Sequence, residues 1–294
     1  MGRDGKRHPR RVRPIGGPAL GVFFTLLLAL QTGATPTPDA RAARLERAQT
    51  AALRYFATSV ETADPSWLSL FGYMHRRFGI DARLASGASA HTVRDGVARP
   101  EVYAIYRRID DPEAQVDKAA IAALPTAIDR ITASALHCDR IPLPADWVEI
   151  LAKASRAGAY ALTHAVLATE WTVENGCRTR QDVTALHAEQ VRLLEQLIDQ
   201  RATLASQYES ATDLWIEAMA MLDYSGAGDR IRAAWIDDLL SQQRADGGWP
   251  RHPRATRSDP HATALALWVV LAQRQPHAPP IRWIAPSGTE AGAR

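Results

Sequence analysis

Three residues far apart in the chain have side chains that could share one reaction. His164, Asp213 and His261 each stand in the first turns of a separate apolar helical segment. Two imidazoles and a carboxylate with an open position suit a catalytic zinc ion. The same three would serve equally as acid, base and orienting group. An aromatic residue accompanies each of them: Tyr160 precedes His164, Tyr208 precedes Asp213, and Trp249 precedes His261. Glu217 follows Asp213 by one helical turn. The serines stand in no nucleophile-elbow context. Arg107 and Arg108 could clamp an anion, but the acids at Asp110 and Asp111 give them partners within the chain.

The elements that must position these residues read as helices throughout. No run alternates with period two, so the fold class is all-α. From Ala114 onward the helical patterns come in pairs. Ala114–Leu124 is followed by Thr126–Cys138, split at Pro125. Asp146–Ala157 is followed by Tyr160–Val173, split at Gly158. Ala185–Thr203 precedes Tyr208–Leu222, and Arg230–Gln243 precedes Pro260–Gln273. The first member of each pair is amphipathic, and the second is more uniformly apolar. Outer helices therefore alternate with inner ones, which is the signature of a helical repeat. Upstream, Arg41–Val60 and Trp67–Phe78 are helical, and Ala82–Pro100 has no period and reads as a long loop. If the inner helices run parallel, their polar first turns gather at one mouth, the usual site for a ligand.

The stretch Gln243–Leu271 carries a resemblance. Gly247-Gly248 ends an amphipathic helix, Trp249 follows, and Asp259-Pro260 caps the next helix with proline in its first turn. Gln243, Gly247 and Trp249 fit the ending of the repeat found in terpenoid cyclases and protein prenyltransferases. Arg232, Ala233, Trp235 and Ile236 fit its start, with three extra residues between the two parts. The resemblance implies an α/α toroid, or a partial one, of five to six helical hairpins over residues 35–275. It does not carry the activity across. Protein prenyltransferases hold zinc with an Asp and a Cys two residues apart, plus a later His. Asp213 and His261 stand in similar places, but Trp215 occupies the cysteine position. The acidic cluster of the cyclases, Asp-x-Asp-Asp, is absent.

Charge and cysteines bound the compartment. Arg3, Lys6, Arg7, Arg10, Arg11 and Arg13 precede the apolar run Pro18–Leu30, and small residues follow it. Basic, apolar and small in that order reads as a signal peptide over residues 1–34, or alternatively as an uncleaved inner-membrane anchor. This leader holds six bases and one acid, so removing its +5 from the net +3 leaves the body at −2. Net charge thus gives no argument for a nucleic-acid-binding patch in the body. The expected location is periplasmic or secreted. Cys138 and Cys177 are the only cysteines. They end successive inner helices, so in an oxidising compartment they should form a disulfide. Residues 276–294 read as a flexible, Pro-rich tail.

Two functions fit. One is an exported toroid enzyme acting on a carbohydrate or lipid-like substrate at the mouth; polysaccharide lyases and glycoside hydrolases use α/α barrels too, and by that analogy Tyr160 or Tyr208 with His164 could abstract a proton. The other is a non-catalytic exported binding or scaffold protein. A deep mouth with convergent polar groups favours the first.

Overall fold

The computed structural model describes residues 38–58, 65–81, 100–109 and 111–284. The leader 1–34, the loop expected over 82–99 and the last ten residues lie outside them. The described residues are all-helical, with one isolated bridge between Trp249 and Asp259. Twelve α-helices follow in order. They are α1 (Pro38–Thr58), α2 (Pro65–Phe78), α3 (Pro100–Tyr106), α4 (Lys118–Ala122), α5 (Ala127–Leu136) and α6 (Trp147–Ala157). Then come α7 (Ala159–Glu174), α8 (His187–Asp199), α9 (Arg201–Gln207), α10 (Ala211–Leu222), α11 (Ala233–Ser241) and α12 (Pro260–Arg274).

Local chemistry sets the starts that matter. Thr126 caps α5, its hydroxyl accepting from the Asp129 amide. Asp259 caps α12 through the Ala262 amide, and Pro260 fills the first turn. Gly158 (φ 74°) and Ala159 (φ 50°) both take left-handed backbone, so α6 reverses into α7 with no loop between. That tight turn seats Tyr160 and His164 in the first turns of α7.

Burial separates the helices into two kinds. Every residue of α10 is buried, as is α12 from Ala262 to Ala272. On α6, α8 and α11 the buried residues form one stripe, Trp147, Val148 and Leu151 on α6 for example. The buried helices pack in succession: α5 on α7, α7 on α10, α10 on α12 and α12 on α2. The short α3 touches both α2 and α5. The exposed partners back them, with α6 on α7, α8 and α9 on α10, and α1 on α12.

The stretch after α11 works as a staple. The Gln243 amide donates to the Ala48 carbonyl of α1 at 2.9 Å and to the Gly247 carbonyl at 2.8 Å. The fully buried Trp249 indole donates to the Leu239 carbonyl at 2.8 Å. Gly247 has φ 93°, and a Cβ there would sit 2.2 Å from the Ala51 carbonyl oxygen. Only glycine allows α1 to approach this closely.

Three boundaries differ from the sequence reading. The segment expected as one helix over Ala185–Thr203 is a 3₁₀ turn, α8 and α9, interrupted at Gln200 (ψ 17°). The pattern over Ala114–Leu124 shrinks to α4 because Asp117 caps there. The helix expected from Tyr208 starts at Ala211, since Tyr208 itself is extended (φ −126°, ψ 133°). The tail expected to fray from Pro276 is instead packed as far as Ile284. Trp283 is 3% exposed and lies among the rings of Tyr73, Trp171, Tyr224 and Trp268 at 5.0–5.7 Å. Glu174 accepts the Trp283 amide with both carboxylate oxygens at 3.1 Å.

Cys138 and Cys177 are joined as a disulfide, with a Cα–Cα distance of 5.8 Å. The bond ties the chain just past α5 to the chain just past α7, as the ends of parallel neighbours allow. Among the described residues no helix is long and apolar enough to cross a membrane.

Candidate functional site

The first turns of α7, α10 and α12 meet. His261 Nδ1 lies 2.7 Å from Asp213 Oδ1, and the Tyr160 hydroxyl donates to Asp213 Oδ2 at 2.5 Å. Two backbone amides at the start of α10, those of Thr212 and Asp213, donate to the Arg251 carbonyl at 3.1 and 3.2 Å. The loop before α12 is thereby sewn onto α10. One turn deeper, Glu217 accepts from the Thr163 hydroxyl, and His164 Nδ1 stands 3.3 Å from Glu217 Oε1. His164 Nδ1 also lies 2.9 Å from the Tyr160 carbonyl. A carbonyl can only accept, so this contact places a proton on Nδ1 and leaves Nε2 as the nitrogen without a partner.

These groups line one wall of a cavity of about 510 Å³. Its lining repeats with helical spacing: Tyr160, His164, Leu167 and Trp171 on α7; Asp213, Glu217 and Met221 on α10; His261 and Leu265 on α12. Charged groups occupy the first turns and apolar or aromatic ones the later turns. Asp129 and Thr132 come from α5, and Trp283 from the C-terminal strap. The strap's contacts are with the later turns of α2 and α7 and with Tyr224 just past α10, opposite the polar end.

Burial and pairing set the protonation states. Burial opposes charge on Asp213, but His261 and the Tyr160 hydroxyl outweigh it and hold the carboxyl below the usual carboxylate range. Burial likewise opposes charge on His261, yet Asp213 pushes the imidazole up to about 9. Burial dominates at Glu217 and raises its pKa. Burial, then Asp213 and Glu217, also push the Tyr160 phenol above its ordinary value. At neutral pH Asp213 and His261 thus form a buried ion pair. Tyr160 keeps its proton and commits it to Asp213, so it holds the carboxylate and does not accept protons.

Most of the expected site is assembled. His164, Asp213, His261 and Tyr160 come together at one end of the cavity. Tyr208 does not join them: it is 36% exposed and lines a separate open groove. Its extended backbone just before α10 turns it away. Glu217 and Arg251 enter the lining beyond the expected set. Glu217 was legible as an acid one turn after Asp213 on an otherwise apolar helix. Arg251 sits in an irregular loop, and no pattern marks it.

The donor set also suits a divalent cation. Asp213, Glu217 and His261 each bring one ligand atom within 4.8 Å of the others. Glu217 thus replaces His164 in the set expected from the sequence. Trp215 is turned the other way, its indole donating to the Ile198 carbonyl of α8 at 3.1 Å. On α10 the residue two on from Asp213 faces α8, and the residue four on, Glu217, shares the cavity face.

No protein-family model matches the chain, and no curated protein or solved structure is significantly similar to it.

Proposed function

We propose that the chain is an exported α/α-toroid enzyme that moves protons on a carbohydrate or lipid-like substrate at the mouth of its cavity. The toroid reading is supported by the order of packing. The helices α2, α12, α10, α7 and α5 are successive neighbours, and α3 bridges α5 back to α2. All six of these helices contribute to the cavity's lining. Export is supported by the basic and apolar leader together with the Cys138–Cys177 bond.

The observation that carries the enzyme reading is the convergence of two differently held histidines on one cavity wall. Asp213 grips His261 at Nδ1, so His261 Nε2–H is the proton donor. The Tyr160 carbonyl grips His164 at Nδ1, so His164 Nε2 is the acceptor. Both Nε2 atoms lack a partner among the described residues. Asp213 and Tyr160 position the donor. The buried Glu217, its pKa raised by burial, stands between the two imidazoles.

A second reading rests on the three ligand atoms of Asp213, Glu217 and His261. A bound divalent cation would supply Lewis-acid activation there, with His164 left as the base. One experiment separates the readings. The mature protein and its His261→Ala variant are incubated with mixed acidic polysaccharides, neutral polysaccharides and lipid extracts, and products are followed by mass spectrometry. Elemental analysis of the same samples reports bound metal. A product made by the wild type and not by the variant supports the enzyme, and one metal equivalent lost with Glu217→Gln selects the second reading. Ligand recovered unchanged from both proteins would make the chain a binding or scaffold protein.

A further inference from the structure

Beside the mouth lies a second concavity, an open groove of about 460 Å³. Its floor is the turn from α9 to α10, and its far wall is the loop before α12. Tyr208, Glu209, His252 and Arg254 furnish its polar and aromatic surface. Tyr208 and Val173 are the exposed large hydrophobic residues among those described, and Tyr208 is the only aromatic of the two.

The groove and the cavity share one wall. The Arg251 carbonyl is bonded to the start of α10, and the next residue, His252, has Nε2 3.2 Å from the Ala205 carbonyl of α9. Arg251 lines the cavity and His252 lines the groove. A ligand seated at the mouth needs only to cross this rim to enter the groove. The rim is also cationic. Arg251 and Arg254 are exposed, and neither makes an ion pair among the described residues. Other described arginines are ion-paired, such as Arg232 with Asp199 and Arg108 with Asp139. Glu209 is the one carboxylate in the groove lining.

An exposed phenol ring beside the unpaired Arg254 guanidinium and hydrogen-bonding side chains, with Arg251 across the rim, is a surface for a flat, hydroxylated, anionic chain. The ring takes the apolar face of a sugar, and each guanidinium takes a carboxylate with two hydrogen bonds. A lipid tail would find no apolar trough there. We propose that this groove is the outer subsite for an acidic oligosaccharide, a chain of uronate type, whose terminal unit enters the cavity. The proposal rests on the enzyme reading of the cavity and narrows its substrate to an acidic glycan longer than the cavity alone can hold.

Calorimetry with galacturonate oligomers tests it. The probes are digalacturonate, hexagalacturonate and the neutral cellohexaose, with wild type, Tyr208→Ala and Arg254→Ala. The expected result is a hexagalacturonate affinity at least tenfold above that of the dimer. Tyr208→Ala and Arg254→Ala should each remove most of that gain and leave the dimer unchanged. Both side chains are exposed, so circular dichroism should match the wild type. Equal affinity for dimer and hexamer overturns the groove. Cellohexaose binding as tightly as hexagalacturonate overturns the acidic ligand. No binding of any galacturonate overturns the proposal, while the fate of the cavity reading is still decided separately by the product assay with His261→Ala.

Discussion

Replacing Asp213 with Asn removes the charge that holds His261 protonated and keeps the side chain's shape. The size of the effect follows from the site. The imidazole rises from an ordinary 6.5 to about 9, although burial alone would lower it. A shift of about 2.5 units at about 1.4 kcal/mol each is about 3 kcal/mol of preference for the charged form. The His261 side chain is 27% exposed, so solvent screening brings the expectation to about 2–3 kcal/mol. The sign is that of a raised base. The stabilisation is fully present below pH 6.5 and is lost as pH rises through 9. The depressed Asp213 carboxyl describes the same interaction from its acid side. Its share is present above the ordinary carboxylate pKa and is lost as pH falls through the depressed one. In Asp213→Asn only the weaker pull of Glu217 and Asp259 still opposes burial, and the pKa of His261 should fall well below 9. The assay is an NMR titration of the imidazole on metal-stripped protein, with urea unfolding at pH 6 and pH 9.5. The wild type should lose about 2–3 kcal/mol more than the variant between the two pH values. A His261 that titrates below 7 in the wild type, or identically in both proteins, would refute the ion pair as the organiser of the site.

Other parts of the structure give quicker tests. Changing Cys138 and Cys177 together to Ser opens a loop of 39 residues. On the loop-entropy model this should cost about 4 kcal/mol in urea unfolding, and alkylation of the unreduced wild type should label no thiol. Trp283→Ala removes the ring packed among Tyr73, Trp171, Tyr224 and Trp268, and should cost about 3–5 kcal/mol by calorimetric unfolding. Gly247→Ala drives a Cβ into the Ala51 carbonyl and forbids the φ of 93°. It should destabilise by several kcal/mol, whereas alanine at Gly176, where no atom lies within 4 Å of the new Cβ, should cost only about 1–2 kcal/mol from its φ of 62°.

What the sequence discloses about this site, and what it hides, divides along one physical line. Residues on regular helices were legible because spacing fixes direction. Tyr160, His164, Asp213 and His261 each sit in the first turn or two of an apolar helix. Once Gly158 and Asp259 set where α7 and α12 begin, the first turns could meet. The cysteines obeyed the same rule, since both lie just past neighbouring helices that end together. The helical period also explains Glu217: the residue one turn after Asp213 shares its face, while Trp215 turns to α8. Tyr208 marks where this reasoning stops. Its apolar pattern continued α10 by three residues, but a helix needs satisfied amides as well as a stripe. The amides of Thr212 and Asp213 find their acceptor in Arg251, nearly forty residues downstream in an irregular loop. That long-range bond starts the helix at Ala211 and leaves Tyr208 outside. Trp283 shows the same gap. Its burial depends on Glu174 accepting its amide and on aromatic rings from α2, α7, α12 and the turn after α10, none of which a Pro-rich tail announces. Periodicity thus gave the wall of the cavity, and contacts between distant irregular segments gave its rim, its groove and its floor.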